Sequence, residues 1–317
     1  MKYKVVVTAR SFGKSDDKAM DLLKENQCDV VRLTPGEKSL EEQLKKEIVT
    51  ADAVIAGLDE YDKELIDSAE NLKVISRYGV GYDKVDLDAA KEKDVLVTIT
   101  PGANGDAVAD LAVTLMLDAA RNVTVMDTAM KAKNQTRPQG IEMWRKTLGV
   151  IGTGRIGQGV AKRCRGFEMD ILCYDPYENE ELKKECNAKY VDLETLIRES
   201  DFITVHSPLT KDTENMIGTK EFRMMKKDAV IVNTARGGII NEDALYDALK
   251  TGMIRAAGLD ATVEEPPYAS PLLSLPNCIL TPHAGAASKE ASSKMSLMAA
   301  RNVIDVLRTG NCKYTVN

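Results

Sequence analysis

The stretch Thr147-Leu148-Gly149-Val150-Ile151-Gly152-Thr153-Gly154-Arg155-Ile156-Gly157 constrains this chain more than any other. It reads as a short buried strand, a glycine-rich turn, and the start of a helix that continues through Val160 and Ala161. Gly152 permits the tight turn, Gly154 lets the backbone approach a pyrophosphate, and Gly157 lets the helix pack closely on the strand. The helix N-terminus, opening with Arg155 and Ile156, offers unpaired N–H groups and the positive end of its dipole to phosphates. A G-x-G-x-x-G on its own is a weak signal, because ordinary glycine turns share it. Here a second apolar run, Ile171-Leu172-Cys173-Tyr174, ends on Asp175, at the distance where an acid holds the ribose hydroxyls of a dinucleotide. Strand, fingerprint, helix, strand and acid in that order point to dinucleotide binding. Asp175 repels a 2′-phosphate and no arginine follows it in Pro176-Tyr177-Glu178, so the expected cofactor is NAD rather than NADP.

Apolar and amphipathic runs alternate on both sides of this stretch. Strands are expected at Lys4–Thr8, Val30–Leu33, Ala53–Ala56, Leu72–Ser76 and Val95–Thr98, with helices at Asp16–Glu25, Leu40–Val49, Asp62–Ser68 and Leu87–Lys91 between them. After Asp175 the alternation resumes, with strands at Phe202–Val205, Ala229–Val232, Ala256–Leu259 and Cys278–Leu280. Helices are expected at Leu193–Arg198, Lys220–Met225, Asp243–Lys250 and Lys289–Leu307, the last long enough to return to the first domain. Such alternation implies parallel sheets covered by helices on both faces. Pro101-Gly102-Ala103-Asn104-Gly105 marks the first domain crossing. The expected architecture is two doubly wound α/β domains: 1–100 with 288–317 as one, 101–287 as the nucleotide domain. One long helix is expected over Ala107–Thr128, too apolar for a one-sided surface helix, and buried either within the subunit or between domains or subunits. Lys131–Met143 reads as a loop, and Trp144 as a packing residue.

Ligands of open parallel sheets bind beyond the carboxyl ends of the strands. The exits here are Arg77-Tyr78-Gly79-Val80-Gly81-Tyr82-Asp83, His206-Ser207-Pro208-Leu209-Thr210, Asn233-Thr234-Ala235-Arg236-Gly237-Gly238, Asp260 with Glu264-Glu265-Pro266-Pro267, and Thr281-Pro282-His283-Ala284-Gly285. Both histidines of the chain lie at such exits. Oxidation of an alcohol by NAD needs a base, and histidine is the side chain whose ordinary pKa suits neutral pH. A carboxylate orients such a ring and stabilises its protonated form, and an arginine clamps a substrate carboxylate with parallel hydrogen bonds. His283, Glu265 and Arg236 are the candidates for those three roles.

These motifs, in this order, resemble the D-isomer-specific 2-hydroxyacid dehydrogenases over the whole length. The resemblance rests on the 77–86 segment, the fingerprint, His206-Ser207-Pro208-Leu209-Thr210 with Thr213, Val232–Gly237, Gly258-Leu259-Asp260 with Glu265-Pro266, and Thr281–Gly285. It implies a Rossmann NAD domain inserted in a flavodoxin-like substrate domain. It further implies His283 as acid/base, Glu265 as its partner and Arg236 as the clamp on the substrate carboxylate and C2 oxygen. N–H groups of the turn Gly79-Val80-Gly81 would hold the far side of that carboxylate. Asp260 would bind the nicotinamide amide, Thr234, Ala235 and Gly285 would line its ring, and His206, Pro208 and Thr213 would border the cofactor cleft. His206 is thereby assigned to cofactor shape rather than catalysis. Two departures from the pattern are Asp110, where relatives often carry Glu, and Ala261-Thr262 in place of Val-Phe.

A net charge of −6 argues against a nucleic-acid footprint. No apolar run is long enough to span a membrane and no signal peptide opens the chain, so a cytoplasmic protein is expected. The scattered cysteines carry no metal-ligand spacing, and neither a disulfide nor a metal is expected. A homodimer is expected from the apolar 107–128 segment. The chain stops soon after its last helix, so no appended regulatory domain is expected. A phosphorylated acid such as 3-phosphoglycerate is favoured if Arg77 receives a second anion, while a surface salt bridge is the other reading of Arg77. Gly57-Leu58-Asp59-Glu60 lacks the basic residue that many phosphoglycerate enzymes place there, which leaves hydroxypyruvate, glyoxylate or a D-lactate-type acid open. An NAD(H)-sensing corepressor is the reading from another class.

Overall fold

Runs of four or five apolar residues, too short for helices and rich in Val and Ile, become strands buried on both faces. The computed structural model describes residues 2–34 and 36–317, grouped into two compact units. One is the chain up to Asn104 together with Ala287–Asn317, and the other is Gly105–Ala286. The crossings thus fall at 104/105 and 286/287 rather than at 100/101 and 287/288.

In the first unit β1 (Tyr3–Val7), β2 (Cys28–Arg32), β3 (Ala53–Ala56), β4 (Val74–Arg77) and β5 (Leu96–Thr98) form a parallel sheet in the order β2-β1-β3-β4-β5. This is the flavodoxin-like order, whose direction reverses between β1 and β3. Helices α1 (Lys18–Glu25), α2 (Leu40–Glu47), α3 (Lys63–Ser68) and α4 (Leu87–Glu92) connect the strands, and the C-terminal α12 (Lys289–Thr309) packs beside α1. Val5, Val7 and Val74 face α1 and α12, while Val6 and Ile75 pack into the core on the other face.

The second unit is a seven-stranded parallel sheet of β6 (Thr147–Ile151), β7 (Asp170–Tyr174), β8 (Lys189–Tyr190), β9 (Phe202–Val205), β10 (Val230–Asn233), β11 (Ala256–Leu259) and β12 (Cys278–Leu280). Its order β12-β11-β10-β9-β6-β7-β8 is the Rossmann arrangement with one added edge strand, and it reverses between β6 and β9. Its helices are α5 (Gly105–Arg121), α6 (Val123–Lys131), α7 (Arg155–Cys164), α8 (Glu180–Cys186), α9 (Leu193–Glu199), α10 (Thr219–Met224) and α11 (Glu242–Lys250). Asn179, Asp192 and Asn241 each accept the N–H three residues on, caps worth about 1 kcal/mol apiece.

Three local expectations are corrected. The single helix over Ala107–Thr128 is two helices, because Asn122 takes the left-handed conformation (φ 56°) and Asp118 accepts the Thr124 N–H across the break. Helix α5 buries Val108, Ala112, Leu115 and Ala119 within its own unit, on β10, β11 and α7. Its partner Gly258 is required there, since a Cβ would lie 2.9 Å from Leu115 Cβ. Helix α8 and strand β8 were not anticipated: Glu180–Cys186 is mostly charged, and only Leu182 and Cys186, four residues apart, bury a face. Trp144 is 46% exposed and carries the Arg145 guanidinium 5.5 Å over its ring, rather than sitting in a core.

Candidate active site

The nucleotide turn follows from steric limits at its glycines. Gly152 has φ 90°, and a Cβ there would come within 2.7 Å of the His206 backbone on the neighbouring strand exit. A Cβ on Gly157 would collide with the Gly152 carbonyl oxygen. Gly154, by contrast, has open space where a Cβ would point, and as N-cap of α7 it supplies no side-chain acceptor. The first N–H groups of α7 beside Arg155 and Ile156 are therefore uncapped and face a gap that admits backbone-close ligand approach. Asp175, just past β7, accepts the Thr153 N–H at 2.7 Å and the Tyr177 N–H at 2.9 Å. A carboxylate has about four lone-pair sites, so each oxygen keeps capacity for ribose hydroxyls. Open turn, uncapped helix and acid together fit NAD.

The exit of β10 presents Arg236. Asn233 closes this turn from both sides: its Oδ1 accepts the Ala235 N–H at 2.9 Å and its Nδ2 donates to the Arg236 carbonyl at 2.7 Å. Arg236 Nη1 donates to the Ala235 carbonyl at 2.8 Å, and the residue is further engaged. The exit of β12 presents His283 at φ 52°, a left-handed conformation that costs a non-glycine residue about 1 kcal/mol or more. Asp260, 3% exposed at the end of β11, holds that conformation in place. Its Oδ1 accepts Thr281 Oγ1–H at 2.6 Å and Ala284 N–H at 2.7 Å, and its Oδ2 accepts Gly285 N–H at 2.7 Å. Gly285 is small for the same reason, since a Cβ would lie 3.0 Å from Asp260 Oδ2. The contacts that Asp260 and Gly285 make here are thus to the histidine loop itself.

His283 Nδ1 lies 2.9 and 3.1 Å from the two Glu265 oxygens, with both side chains about a quarter exposed. Nδ1–H donates to the carboxylate, which leaves Nε2 as the nitrogen that exchanges a proton. His206 is different. Its Nε2 lies 2.8 Å from Thr204 Oγ1 and its Nδ1 3.4 Å from Thr234 Oγ1, and burial pushes its pKa down to about 3. A ring kept neutral and enclosed by hydroxyls holds the shape of the strand exit. Thr213 closes the adjoining loop, donating to the Pro208 carbonyl at 2.6 Å.

The His206 shift has a consequence for stability. The unfolded ring takes a proton near pH 6.5 and the folded ring only near 3, so acid favours unfolding across that window. The slope is at most about 1.4 kcal/mol per pH unit. Thermal unfolding of His206→Asn at pH 7 and pH 5 should show a smaller acid-induced loss than wild type; equal losses would contradict the assignment.

In the first unit Arg77 is buried rather than at the surface, and carbonyls of two strand exits accept from its guanidinium. It is 5% exposed, its Nε donates to the Gly81 carbonyl at 2.9 Å, and its Nη1 donates to the Gly57 carbonyl and, at 3.3 Å, to that of Ala56. It clasps the β3 and β4 exits together. Gly79 (φ 150°) lets the turn fold so that its carbonyl accepts Thr100 N–H at 2.8 Å. The N–H groups of Val80 and Gly81 make no hydrogen bond among the described residues. Two residues that the sequence did not single out stand at element ends of the two units: Arg10, exposed just after β1, and Glu242, the first residue of α11.

The thiols stand apart from this chemistry: burial pushes those of Cys164, Cys173 and Cys278 up to about 12. Among the described residues no cluster of His, Cys, Asp and Glu is arranged to hold a metal, and no helix is long and apolar enough to cross a membrane.

A Rossmann sheet with an open phosphate turn, and a carboxylate-oriented histidine at its carboxyl edge, define a dinucleotide-binding protein of the dehydrogenase type. The chain belongs to the D-isomer-specific 2-hydroxyacid dehydrogenases: residues 113–285 match the family model "D-isomer specific 2-hydroxyacid dehydrogenase, NAD binding domain". A D-3-phosphoglycerate dehydrogenase of Methanocaldococcus jannaschii is 45% identical over 280 residues, which are 87% of this chain and 53% of that protein. This chain thus spans about half the length of that relative. A glyoxylate reductase of Thermococcus litoralis is 42% identical over 271 residues, 82% of each chain. The solved structure of a glyoxylate reductase from Paecilomyes thermophila superposes with a TM-score of 0.85 at 31% identity, covering 99% of this chain and 98% of that one.

Proposed function

We propose that this protein is an NAD-dependent dehydrogenase that interconverts a D-2-hydroxy acid and its 2-keto acid, with a 3-phosphoglycerate-type acid as the favoured substrate. The observation that carries this reading is the His283–Glu265 pair, held at 2.9 Å on exits of the sheet that bears the nucleotide turn. Gly152–Gly157 and Asp175 would hold NAD, which would accept the hydride leaving C2 of the hydroxy acid. In oxidation, His283 Nε2 takes the hydroxyl proton while Glu265 stabilises the resulting imidazolium. In reduction, the protonated ring returns that proton to the C2 oxygen, and Arg236 pairs with the carboxylate and balances the charge developing on that oxygen. The unbonded N–H groups of Val80 and Gly81 suit the substrate carboxylate, and the clasp made by Arg77 fixes their turn.

The choice of acid turns on Arg10. With Arg77 engaged by carbonyls, and Arg32 donating to the Phe12 carbonyl at 2.7 Å, Arg10 is the exposed arginine of these exits with no partner among the described residues. It sits at the β1 exit, beside the point where strand order reverses, in a turn pinned by buried Phe12 against Tyr78. A distal phosphate or carboxylate fits that cation. The second reading, glyoxylate or hydroxypyruvate, is favoured by the acidic Asp59 and Glu60 on the adjacent exit. NADH consumption with 3-phosphohydroxypyruvate, hydroxypyruvate, glyoxylate and pyruvate decides between them. Arg10→Ala is expected to raise KM about 10-fold or more for the phosphorylated acid alone. Equal effects on all four acids would return the assignment to the small ones. Silence from wild type across the panel, with NADH still bound, would favour a sensor.

The protein forms a homodimer through α6. That helix has no buried residue, exposes Val123 and Met130, and borders a cavity of about 440 Å³ lined also by Leu275 and Ile279. Light scattering at micromolar concentration should report twice the chain mass; a monomer would refute it.

A further inference from the structure

The loop at residues 261–268 carries Glu265, and its placement decides whether the carboxylate meets His283. Within the loop, Thr262 Oγ1 donates to the Glu264 carbonyl at 2.8 Å and Tyr268 N–H to the Pro266 carbonyl at 2.9 Å. Neither bond ties it to the rest of the fold. Two features of the Arg236 segment do. Gly237 lies flat against the Thr262–Val263 peptide, so close that any Cβ would collide with it. Five residues on, in the first turn of α11, Glu242 Oε1 accepts the N–H of Val263 at 2.6 Å. Val263 itself is exposed, so this bond does not serve core packing. A charge-assisted bond to a backbone N–H is stronger and shorter than a neutral one, and this one anchors a loop that lacks regular structure.

We propose that Glu242 is a positioning residue: through Val263 it fixes the loop that presents the Glu265 carboxylate to His283 Nδ1. One continuous segment, from Arg236 to Glu242, thus presents the substrate clamp at one end and sets the orientation of the histidine's partner at the other. Burial raises the Glu242 pKa, and the Val263 bond opposes that shift. The proposal rests on the acid/base reading given above, but its test does not depend on it alone.

Three rate comparisons separate the cases. Glu242→Gln keeps an oxygen acceptor and should hold kcat within about twofold of wild type. Glu242→Ala should lower kcat about 10–100-fold, the scale of misplacing a catalytic group by about an ångström, with the Kd for NADH unchanged. In a Glu265→Gln background, Glu242→Ala should lower kcat no further, because residues that act as one unit are not additive. A reduction by Glu242→Ala of the same size in both backgrounds would overturn the proposal, as would a failure of Glu242→Gln to restore the rate. Proton NMR supplies a readout without turnover. The hydrogen-bonded Nδ1–H resonance, assigned by its loss in His283→Ala, should persist in Glu242→Gln and be lost or shifted in Glu242→Ala. If wild type turns over none of the acids, the dehydrogenase reading falls while this resonance still decides the role of Glu242.

Discussion

His283→Ala is expected to lower kcat for 2-keto acid reduction by about 10²–10⁴-fold while leaving the Kd for NADH within a factor of two. The magnitude is what a positioned proton donor contributes. The selectivity for kcat follows from how the loop is built. Asp260 holds the 281–285 segment through Thr281, Ala284 and Gly285, none of which is the imidazole, so removing the ring leaves the loop and the nucleotide turn where they are. Stopped-flow and steady-state rates with NADH and hydroxypyruvate check this, with fluorescence titration for NADH affinity. A variant within a few-fold of wild type would remove His283 from the proton-transfer role. One that loses NADH binding instead would show that the ring organises the cleft.

Gly157→Ala should have the second largest effect, and on a different link of the chain of causes. The added methyl group would occupy the space of the Gly152 carbonyl oxygen, which is backbone and cannot swing aside. Overpacking of this kind costs about 1–3 kcal/mol and sometimes more, and relief requires α7 to move off β6. Since α7 carries the uncapped N–H groups at Gly154–Ile156, that movement opens the phosphate site. The expected result is a lowered Tm together with at least about tenfold weaker NADH binding. The control is Gly166→Ala, where a Cβ meets nothing within 4 Å. An unchanged NADH affinity in Gly157→Ala would mean that the close approach of helix to turn does not set the site.

How much of this was legible in the sequence varies by residue, and for physical reasons. Parallel strands announce themselves as short apolar runs, so the buried Ala53–Ala56, Phe202–Val205 and Ala256–Leu259 and the edge strand Cys278–Leu280 have the expected bounds. The break at Asn122 was harder, because the apolar period runs on past it while one left-handed residue ends the helix. Helix α8 was invisible to periodicity, although Asn179 as cap and the buried Leu182–Cys186 pair carried a faint signal. In the site, the pairing of His283 with Glu265 followed from chemistry: a histidine base needs an orienting carboxylate, and the strand exits offered one. Arg77 shows the limit of that logic. A cation at a strand exit reads as an anion receptor, yet this one is buried and donates to the carbonyls of Gly81, Ala56 and Gly57, and no local pattern reveals which carbonyls will converge. The loop-holding bonds of Asp260 and Glu242 were likewise unreadable, since each joins segments about 20 or more residues apart through backbone N–H groups that every residue but proline carries.

The most direct test is the pH dependence of single-turnover NADH oxidation by a saturating 2-keto acid, in wild type and in His283→Ala. With His283 as the proton donor, the wild-type rate falls as pH rises, while the variant is slow and loses that dependence. The same fall with pH in both proteins would contradict the account, because the proton would then come from another group.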